Sequence, residues 1–273
     1  MSSNHLTDMR PLLAPHSGQN GLTATTLKMI AIVAMIIDHI AWAFVPTASV
    51  LGIVMHGIGR ITGPTMFYFI AEGYRYTRDK NRYTLRLGIF ALLSWLPFFY
   101  FEYGTLPSVQ KFSPVGVIFT LFLAHLAIRA RHELESKLLQ GLVIFGALAL
   151  SSIGDWGVIG VAITLIFDVY YGNFKKQAIA YSGVIVFITF GPLAWLLSAG
   201  GEIGQVLGMD AAAALAEITA STLIQLCQLL PLGLLRFYDG ELGRGGAGVK
   251  WFFYIVYPVH LLIIGFLRFV IFA

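Results

Sequence analysis

The sequence is poor in charged residues and has almost no cysteine. Only 12% of its 273 residues are Asp, Glu, Lys or Arg, about half the share in a typical soluble domain. The single cysteine, Cys227, lies inside an apolar run, which excludes a disulfide framework and paired zinc-binding thiols. The chain also has no HExxH string, so neither a metal site nor a zinc protease is predicted.

What the sequence has in excess is apolar residues. They make up 57% of the chain, and the mean hydropathy is +0.77. This composition is typical of a polytopic membrane protein, for which the lipid bilayer is a partner. The net charge of +4 comes from basic residues in short loops between apolar runs, so no nucleic-acid partner is expected.

The apolar runs predict an all-α fold, a membrane helical bundle with about nine transmembrane helices. The predicted helices are 27–45, 50–74, 83–101, 115–130, 138–152, 157–171, 177–198, 211–236 and 250–272. Residues 1–26 are polar and predict a cytoplasmic tail, not a signal peptide, ahead of a single transmembrane domain over 27–273. Thr25 and Thr26 are candidate caps for the first helix.

Lys and Arg alternate between the two sides of this predicted bundle. They are concentrated in loops 75–86, 129–137, 172–176 and 236–250. The only Lys or Arg in the connectors 46–49, 102–114, 153–156 and 199–210 is Lys111. Because basic loops stay in the cytoplasm, the pattern predicts a cytoplasmic N-terminus and, with nine spans, an extracytoplasmic C-terminus.

Ionisable groups inside lipid cost at least ~2.5–3.5 kcal/mol each at a helix centre and indicate function. At ~1.5 Å per residue, several polar groups on four predicted helices fall at similar depth. They are Asp38, His39, His56, Arg60, Glu217, Gln225, Tyr257 and His260. The convergence predicts one hydrated cavity in which Asp38 and Arg60 compensate each other's charge. The alternative is that these side chains only fix helix packing.

Glycine and proline surround one of these groups, in GIGRITGP at 57–64. The string predicts either a plain kink or a broken helix that presents Arg60 and free backbone N–H groups to a ligand. Nearer the cytoplasmic end, Glu72 is expected to pair with Arg75. On the opposite side, Asp155 is expected to cap the sixth helix.

The basic loop between the second and third helices has two interpretations. It holds Arg75, Arg78, Arg82 and Arg86. These residues suit topology and contact with anionic lipid, and they also suit the phosphates of a nucleotide that arrives from the cytoplasm.

Four strings resemble the successive motifs of the TraX family of membrane proteins, named for the acetylase of F-type pilin. They are LKMIAIVAMIIDHI (27–40), GRITGPTMFYFIAEGYRYTRD (59–79), YTLRLGIFALLSWLPF (83–98) and YIVYPVHLLII (254–264). Their order and spacing match over nearly the whole apolar chain. One difference is Trp95, which stands where relatives often have an acidic residue. If that acid helps to bind the acceptor, the resemblance does not identify the acceptor of this protein.

The resemblance implies a transmembrane acetyltransferase in a bacterial cytoplasmic membrane, with acetyl-CoA as co-substrate. The acceptor is an unknown amine or hydroxyl, on a protein N-terminus or a glycan. His39 is then the expected base, or a covalent acetyl carrier, and Asp38 supplies charge compensation. Arg60, or N–H groups near Gly63, would stabilise the oxyanion. The basic loop would bind the CoA phosphates.

Two other functions remain open from the residues. A small-molecule transporter also needs buried Asp, His and Arg, although no mirrored second half is visible in the sequence. A non-catalytic assembly factor of a secretion or conjugation system would tolerate substitution of Asp38 or His39.

Overall fold

The structure, a computed structural model, describes residues 21–108, 111, 114–198 and 210–272. Over these residues it is all-helical, and every predicted apolar stretch coincides with helix. The helices are α1 Ala24–Phe44, α2 Val50–Gly59, α3 Thr62–Tyr76, α4 Lys80–Tyr103, α5 Val117–Glu133, α6 Lys137–Ser151, α7 Gly157–Val169, α8 Phe174–Ser198, α9 Ala211–Leu226, α10 Leu230–Arg236 and α11 Ala247–Phe266. Residues 1–20 of the predicted tail and 199–209 of one connector lie outside the described residues.

Side-chain caps fix where several helices begin. The cap of α1 is Thr23, whose hydroxyl accepts the N–H of Thr26 at 3.2 Å. The prediction of Thr25 or Thr26 was therefore a few residues late. Ser49 caps α2 in the same way, and its hydroxyl accepts the N–H of Gly52 at 3.0 Å. Each cap satisfies one of the N–H groups that a helix leaves without an internal partner.

Two of the predicted helices are interrupted. The second is divided into α2 and α3 by a turn at Arg60 and Ile61. The eighth is α9 and α10, joined by a 3₁₀ turn at Cys227–Leu229. The glycines and the proline around Arg60 explain the first interruption, since they weaken helix continuity on both sides of it.

Four helical stretches in the described part of the chain have the length and apolar composition to cross a membrane. They are Ala24–Phe44, Lys80–Tyr103, Ala212–Arg236 and Gly248–Ile271. The apolar helices α6 and α7 are shorter, at 15 and 13 residues. At ~1.5 Å per residue neither reaches across a ~30 Å hydrocarbon core as an untilted helix.

Large apolar side chains on several helices point away from the protein. Among the most exposed are Val50, Leu92, Leu138, Phe145 and Phe187, and the fractional exposure of each exceeds 70%. A soluble monomer rarely displays apolar surface on this scale. Together with the four long apolar stretches, this surface indicates a membrane protein.

The helices pack so that α1 is central to one half of the bundle. It contacts α2, α3 and α11, while α4 packs between α11 and α5. The start of α7 lies against α3 and α5. Side chains from α1, α3, α4, α5 and α11, and from the turn before α7, meet in the space beside the α2–α3 turn.

Candidate active site

A cavity of about 240 Å³ lies beside the α2–α3 turn. Its ionisable lining residues are Asp38, His39, Arg60, Glu102, Asp155 and Tyr257. Its aromatic walls are Trp42, Phe98, Phe101, Trp156 and Phe253. Asp38, His39, Arg60 and Tyr257, all predicted from the sequence, are thus brought to one partly open cavity of mixed polarity, which is the usual character of a small-molecule site.

His39 is held by its own helix. Its Nδ1 lies 2.8 Å from the carbonyl oxygen of Met35, one turn earlier on α1. Because a carbonyl oxygen only accepts, Nδ1 carries the proton in the neutral ring and donates it. The lone pair is then on Nε2, so the ring of His39 lines the cavity in the tautomer that a general base requires.

Asp38 has a different partner from the one predicted. Its Oδ1 accepts the Nδ1–H of His56 at 2.7 Å, whereas Arg60 was the expected counter-charge. His56 is fully buried, and its ring lies 4.8 Å from that of Trp42. Adjacent positions on a helix point ~100° apart, which explains why Asp38 bonds to α2 while His39 is oriented toward α11.

Gly59 makes the Asp38–His56 contact possible. A Cβ at this position would lie 2.3 Å from Cγ of Asp38, well inside van der Waals contact. We predict that Gly59→Ala displaces the Asp38 side chain and destabilises the protein by ~1–3 kcal/mol, as overpacking does elsewhere. Thermal unfolding in detergent measures the effect.

Gly146→Ala on α6 is the matched control, because a Cβ there meets nothing within 4 Å. It should leave stability unchanged or raise it slightly, since Ala has the higher helix propensity. Equal unfolding temperatures for the two variants would contradict the proposed tight contact.

The α2–α3 turn presents Arg60 and a helix N-terminus to the cavity. Gly59, Thr62 and Gly63 line the cavity beside it, and the residue at the cap position of α3, Ile61, makes no side-chain capping bond. The Arg60 guanidinium lies 5.9 Å from the ring centroid of Trp156. The positive end of the α3 dipole and the Arg60 charge therefore act on the same space, where they face the carboxyl groups of Asp38, Glu102 and Asp155 and can stabilise negative charge.

The turn before α7 supplies two lining residues that the sequence reasoning missed as site residues. Trp156, not Asp155, occupies the cap position, with a φ of 66° that is the only positive value at a non-glycine residue in the described ranges. Such a conformation costs ~1–3 kcal/mol and often marks a functional site. Asp155 accepts the Trp156 N–H at 2.9 Å, and its carboxylate interacts with the Arg60 charge.

Glu102, near the end of α4, is a further ionisable lining residue that was not predicted. It lies one residue after Phe101 and interacts electrostatically with Arg268. No sequence pattern distinguishes Glu102, because it lies in the last turn of a helix, where a carboxylate is common at a membrane interface. The sequence therefore offered no way to separate Glu102 from an ordinary interfacial carboxylate.

The remaining predicted cavity residues lie outside the lining. His56 lies behind Asp38, and His260 contacts His39, with Nε2 of His260 3.2 Å from Nδ1 of His39. Gln225 accepts a hydrogen bond from Gln228 on the adjoining turn, and Glu217 is half-buried on α9. Neither Glu217 nor Gln225 is among the described residues that line this cavity.

Tyr257 and Trp95 differ in their relation to the cavity. The Tyr257 hydroxyl accepts the backbone N–H of Val117 at 3.1 Å, which ties α11 to the start of α5. Gly116 accommodates this contact, since a Cβ there would lie 2.5 Å from the same hydroxyl. Trp95 is half-buried on α4 and does not line the cavity.

The basic residues of the 75–86 loop have distinct surroundings. Arg82 forms an exposed ion pair with Asp79 at 3.0 Å, and the guanidinium of Arg86 lies 5.8 Å from the ring of Tyr83. Arg78 lines an open groove of about 540 Å³ together with Lys80 and Asn81. Arg129 and Glu133 on α5 form the opposite side of this groove.

Glu133 reduces the positive charge of the groove. Burial raises the pKa of its carboxyl, but the Arg129 hydrogen bond and charge outweigh burial, so the pKa lies below its usual value. Glu133 is therefore ionised near neutral pH and neutralises Arg129 at 2.6 Å. The cations that remain for a ligand are Arg78 and Lys80.

Arg75 is held by a buried carboxylate on α7. Asp168 is fully buried and bonds to Arg75 at 2.8 Å, Arg131 at 2.5 Å and His132 at 2.9 Å. Arg75 was expected to pair with Glu72, which instead accepts a hydrogen bond from the Tyr238 hydroxyl. The Asp168 cluster joins α3, α5 and α7 at one end of the bundle.

Comparison with known proteins gives the chain a family. The family model described as TraX protein matches residues 23–268, which is nearly all of the described structure. The chain belongs to the TraX family. A TraX relative, "Probable fimbrial assembly protein FimC, serogroup H1" of Dichelobacter nodosus, is 32% identical over 251 residues, covering 88% of this chain and 93% of that protein. No solved structure matches the chain significantly.

The TraX motifs recognised in the sequence surround the cavity. The first supplies Asp38 and His39 on α1, and the second supplies Arg60 and Gly63 at the break. The motif on α11 supplies Tyr257 as a lining residue. Strings that are far apart in the sequence of this TraX protein thus meet at one place in the fold.

Proposed function

We propose that this TraX protein is an integral membrane acetyltransferase. It moves an acetyl group from cytoplasmic acetyl-CoA to an amine or hydroxyl, on a protein N-terminus or a glycan, at or beyond the outer half of the membrane. The observation that carries the proposal is the pairing of an anchored His39, with Nε2 unprotonated, and Arg60 in one cavity between helices.

The chemistry requires a base and an anion-stabilising group. The acceptor atom attacks the thioester carbonyl carbon while Nε2 of His39 takes the acceptor's proton. Negative charge on the carbonyl oxygen is stabilised by Arg60 and by the N–H groups at the start of α3. The tetrahedral intermediate then expels the CoA thiolate, which receives the proton from His39.

The proposed setting is the cytoplasmic membrane of a bacterium, crossed several times by the chain. The alternation of Lys- and Arg-rich loops supports a cytoplasmic N-terminus and an extracytoplasmic C-terminus. The same orientation puts the 75–86 loop in the cytoplasm, on the side where acetyl-CoA is found.

A transfer assay tests the proposed activity. Purified protein in lipid nanodiscs is supplied with acetyl-labelled acetyl-CoA, a membrane extract and a periplasmic extract from a bacterium that carries the protein. Label is expected in a protein or glycan fraction with wild-type protein and not with Arg60→Ala. Equal labelling by both, or none by wild type above protein-free nanodiscs, would contradict the proposal.

CoA phosphates are proposed to bind at the 75–86 loop. Arg78 is exposed and available there, whereas Arg75 is engaged by Asp168, Arg82 by Asp79 and Arg86 by Tyr254. We predict that Arg78→Ala raises the KM for acetyl-CoA about tenfold with kcat unchanged, because a charge-assisted bond contributes ~1.5–3 kcal/mol.

Lys176→Ala is the matched control for this prediction. Lys176 is an exposed cation that lies in another predicted cytoplasmic loop and outside the groove. Its replacement should leave the KM within about twofold of wild type. The same KM increase in both variants would indicate a general charge effect and contradict a phosphate contact at Arg78.

The name of the Dichelobacter nodosus relative favours a second candidate, a non-catalytic factor in fimbrial assembly. The two candidates differ in what they require of His39. An assembly factor keeps its function in a His39→Gln strain, whereas an acetyltransferase loses it. The test is to complement a deletion strain with the wild-type protein or with His39→Gln and to count fimbriae by electron microscopy. Equal numbers indicate an assembly factor, and a loss with His39→Gln indicates an acetyltransferase.

A further inference from the structure

Two histidines from opposite ends of the sequence meet beside the cavity. Nε2 of His260 on α11 lies 3.2 Å from Nδ1 of His39 on α1. The two rings are 4.8 Å apart between centroids and cross at 70°. The edge of one imidazole is therefore directed at the other, in a geometry that allows an N–H···N hydrogen bond.

Backbone carbonyls determine which nitrogen carries each proton. Nδ1 of His260 lies 2.8 Å from the carbonyl oxygen of Val256, just as Nδ1 of His39 lies 2.8 Å from that of Met35. Each neutral ring is thereby protonated at Nδ1, because the opposite tautomer would set two acceptors against each other. Nε2 of His260 then has a lone pair that faces the Nδ1–H of His39, and that N–H is shared between two acceptors.

We propose that His260 is a positioning residue for the general base of this enzyme. By accepting the Nδ1–H of His39, it keeps the proton off Nε2 and holds the ring in the cavity wall. The inference rests on the proposed acetyl transfer. It gives His260 the orienting role that a carboxylate has in a Ser-His-Asp triad, without the cost of burying another charge.

Among the described residues that contact His39, His260 is the side chain that accepts its Nδ1–H, and it shares this N–H with the carbonyl oxygen of Met35. Asp38, its neighbour in sequence, bonds to His56 instead. The edge contact with Phe101, at 5.2 Å between ring centroids, limits rotation of the His39 ring on one side. Tyr257 contacts both imidazoles, at 6.4 Å from His39 and 5.7 Å from His260.

The proposed proton transfers balance without a charge on His260. When the acceptor attacks, its proton passes to Nε2 of His39, and the resulting imidazolium still donates Nδ1–H to His260 and Met35. When the C–S bond of the intermediate breaks, the same proton passes from Nε2 to the CoA sulfur. His260 stays neutral throughout and stabilises the imidazolium as a hydrogen-bond acceptor.

Nuclear magnetic resonance tests the contact without acetyl-CoA. In the full chain, labelled with ¹⁵N-histidine and embedded in nanodiscs, the expected result is a ¹⁵N–¹⁵N coupling across the hydrogen bond from Nδ1 of His39 to Nε2 of His260. A protonated Nε2 on His260, or a protonated Nε2 on His39, would overturn the proposal. Because no substrate is present, this result is independent of whether the protein transfers acetyl groups.

Paired substitutions test the role in turnover. His260→Leu removes the acceptor, and kcat is expected to fall roughly 10- to 100-fold with the KM for acetyl-CoA unchanged. His260→Gln can place its amide oxygen near the position of Nε2 and should keep kcat within about threefold of wild type. Wild-type turnover in His260→Leu, or equal losses in both variants at matched melting temperatures, would overturn the positioning role.

Discussion

His39→Ala is expected to slow acetyl transfer about 100- to 10,000-fold. General-base catalysis typically contributes a factor of this size. The structure gives His39 the required features: Nδ1–H is fixed by Met35, and the ring lines the cavity with Nε2 unprotonated. The measurement is single-turnover transfer from acetyl-labelled acetyl-CoA in nanodiscs.

Val33→Ala is the matched control on the same helix. Val33 is 55% exposed and lies outside the cavity, so its truncation should leave the rate within about twofold of wild type. A His39→Ala variant that folds normally and retains the wild-type rate would contradict the role of His39 as base.

Asp168→Ala is expected to lower the free energy of unfolding by about 3 kcal/mol. Removing one partner of a buried ion pair typically costs ~3–5 kcal/mol, because the other charges remain without compensation. Asp168 is fully buried, whereas Arg75, Arg131 and His132 are each about 30% exposed, which favours the lower end of that range. Chemical denaturation in detergent micelles measures the free energy of unfolding.

The exposed ion pair of Asp79 with Arg82 provides the control. The two side chains are 50% and 80% exposed, and pairs of this kind contribute ~0–1 kcal/mol. Asp79→Ala also removes the α4 cap, at ~1 kcal/mol, so its total loss should stay below that of Asp168→Ala. The reverse order would show that the Asp168 cluster does not hold α3, α5 and α7 together.

Helix positions were predictable because they depend on local sequence, and the glycines and proline around Arg60 indicated either a kink or a break there. Apolar runs, Gly and Pro act within a few residues of one another, and every predicted stretch coincides with helix in the described ranges. The membrane topology derived from Lys and Arg stays a prediction. The convergence of Asp38, His39 and Arg60 was predictable from their depth in the membrane alone. Ionisable side chains at one depth avoid lipid by facing the interior of the bundle, where they come close together.

Specific partners were harder to predict, because they depend on how helices rotate against each other. Asp38 bonds to His56 and not to Arg60, since the rotation of α2 turns His56 toward α1. Arg75 reaches Asp168, which lies 93 residues later in the sequence. Asp155 enters the cavity only because a turn with Trp156 at positive φ folds against α3. Nothing in the local pattern indicates these contacts.

The most direct test of the central claim is a structure of this protein with CoA bound in nanodiscs. We predict that the CoA sulfur lies in the cavity beside His39 and Arg60, with the nucleotide phosphates at the face that carries Arg78. CoA bound with its sulfur outside this cavity, or no CoA density at saturating concentration, would contradict the proposed acetyltransferase.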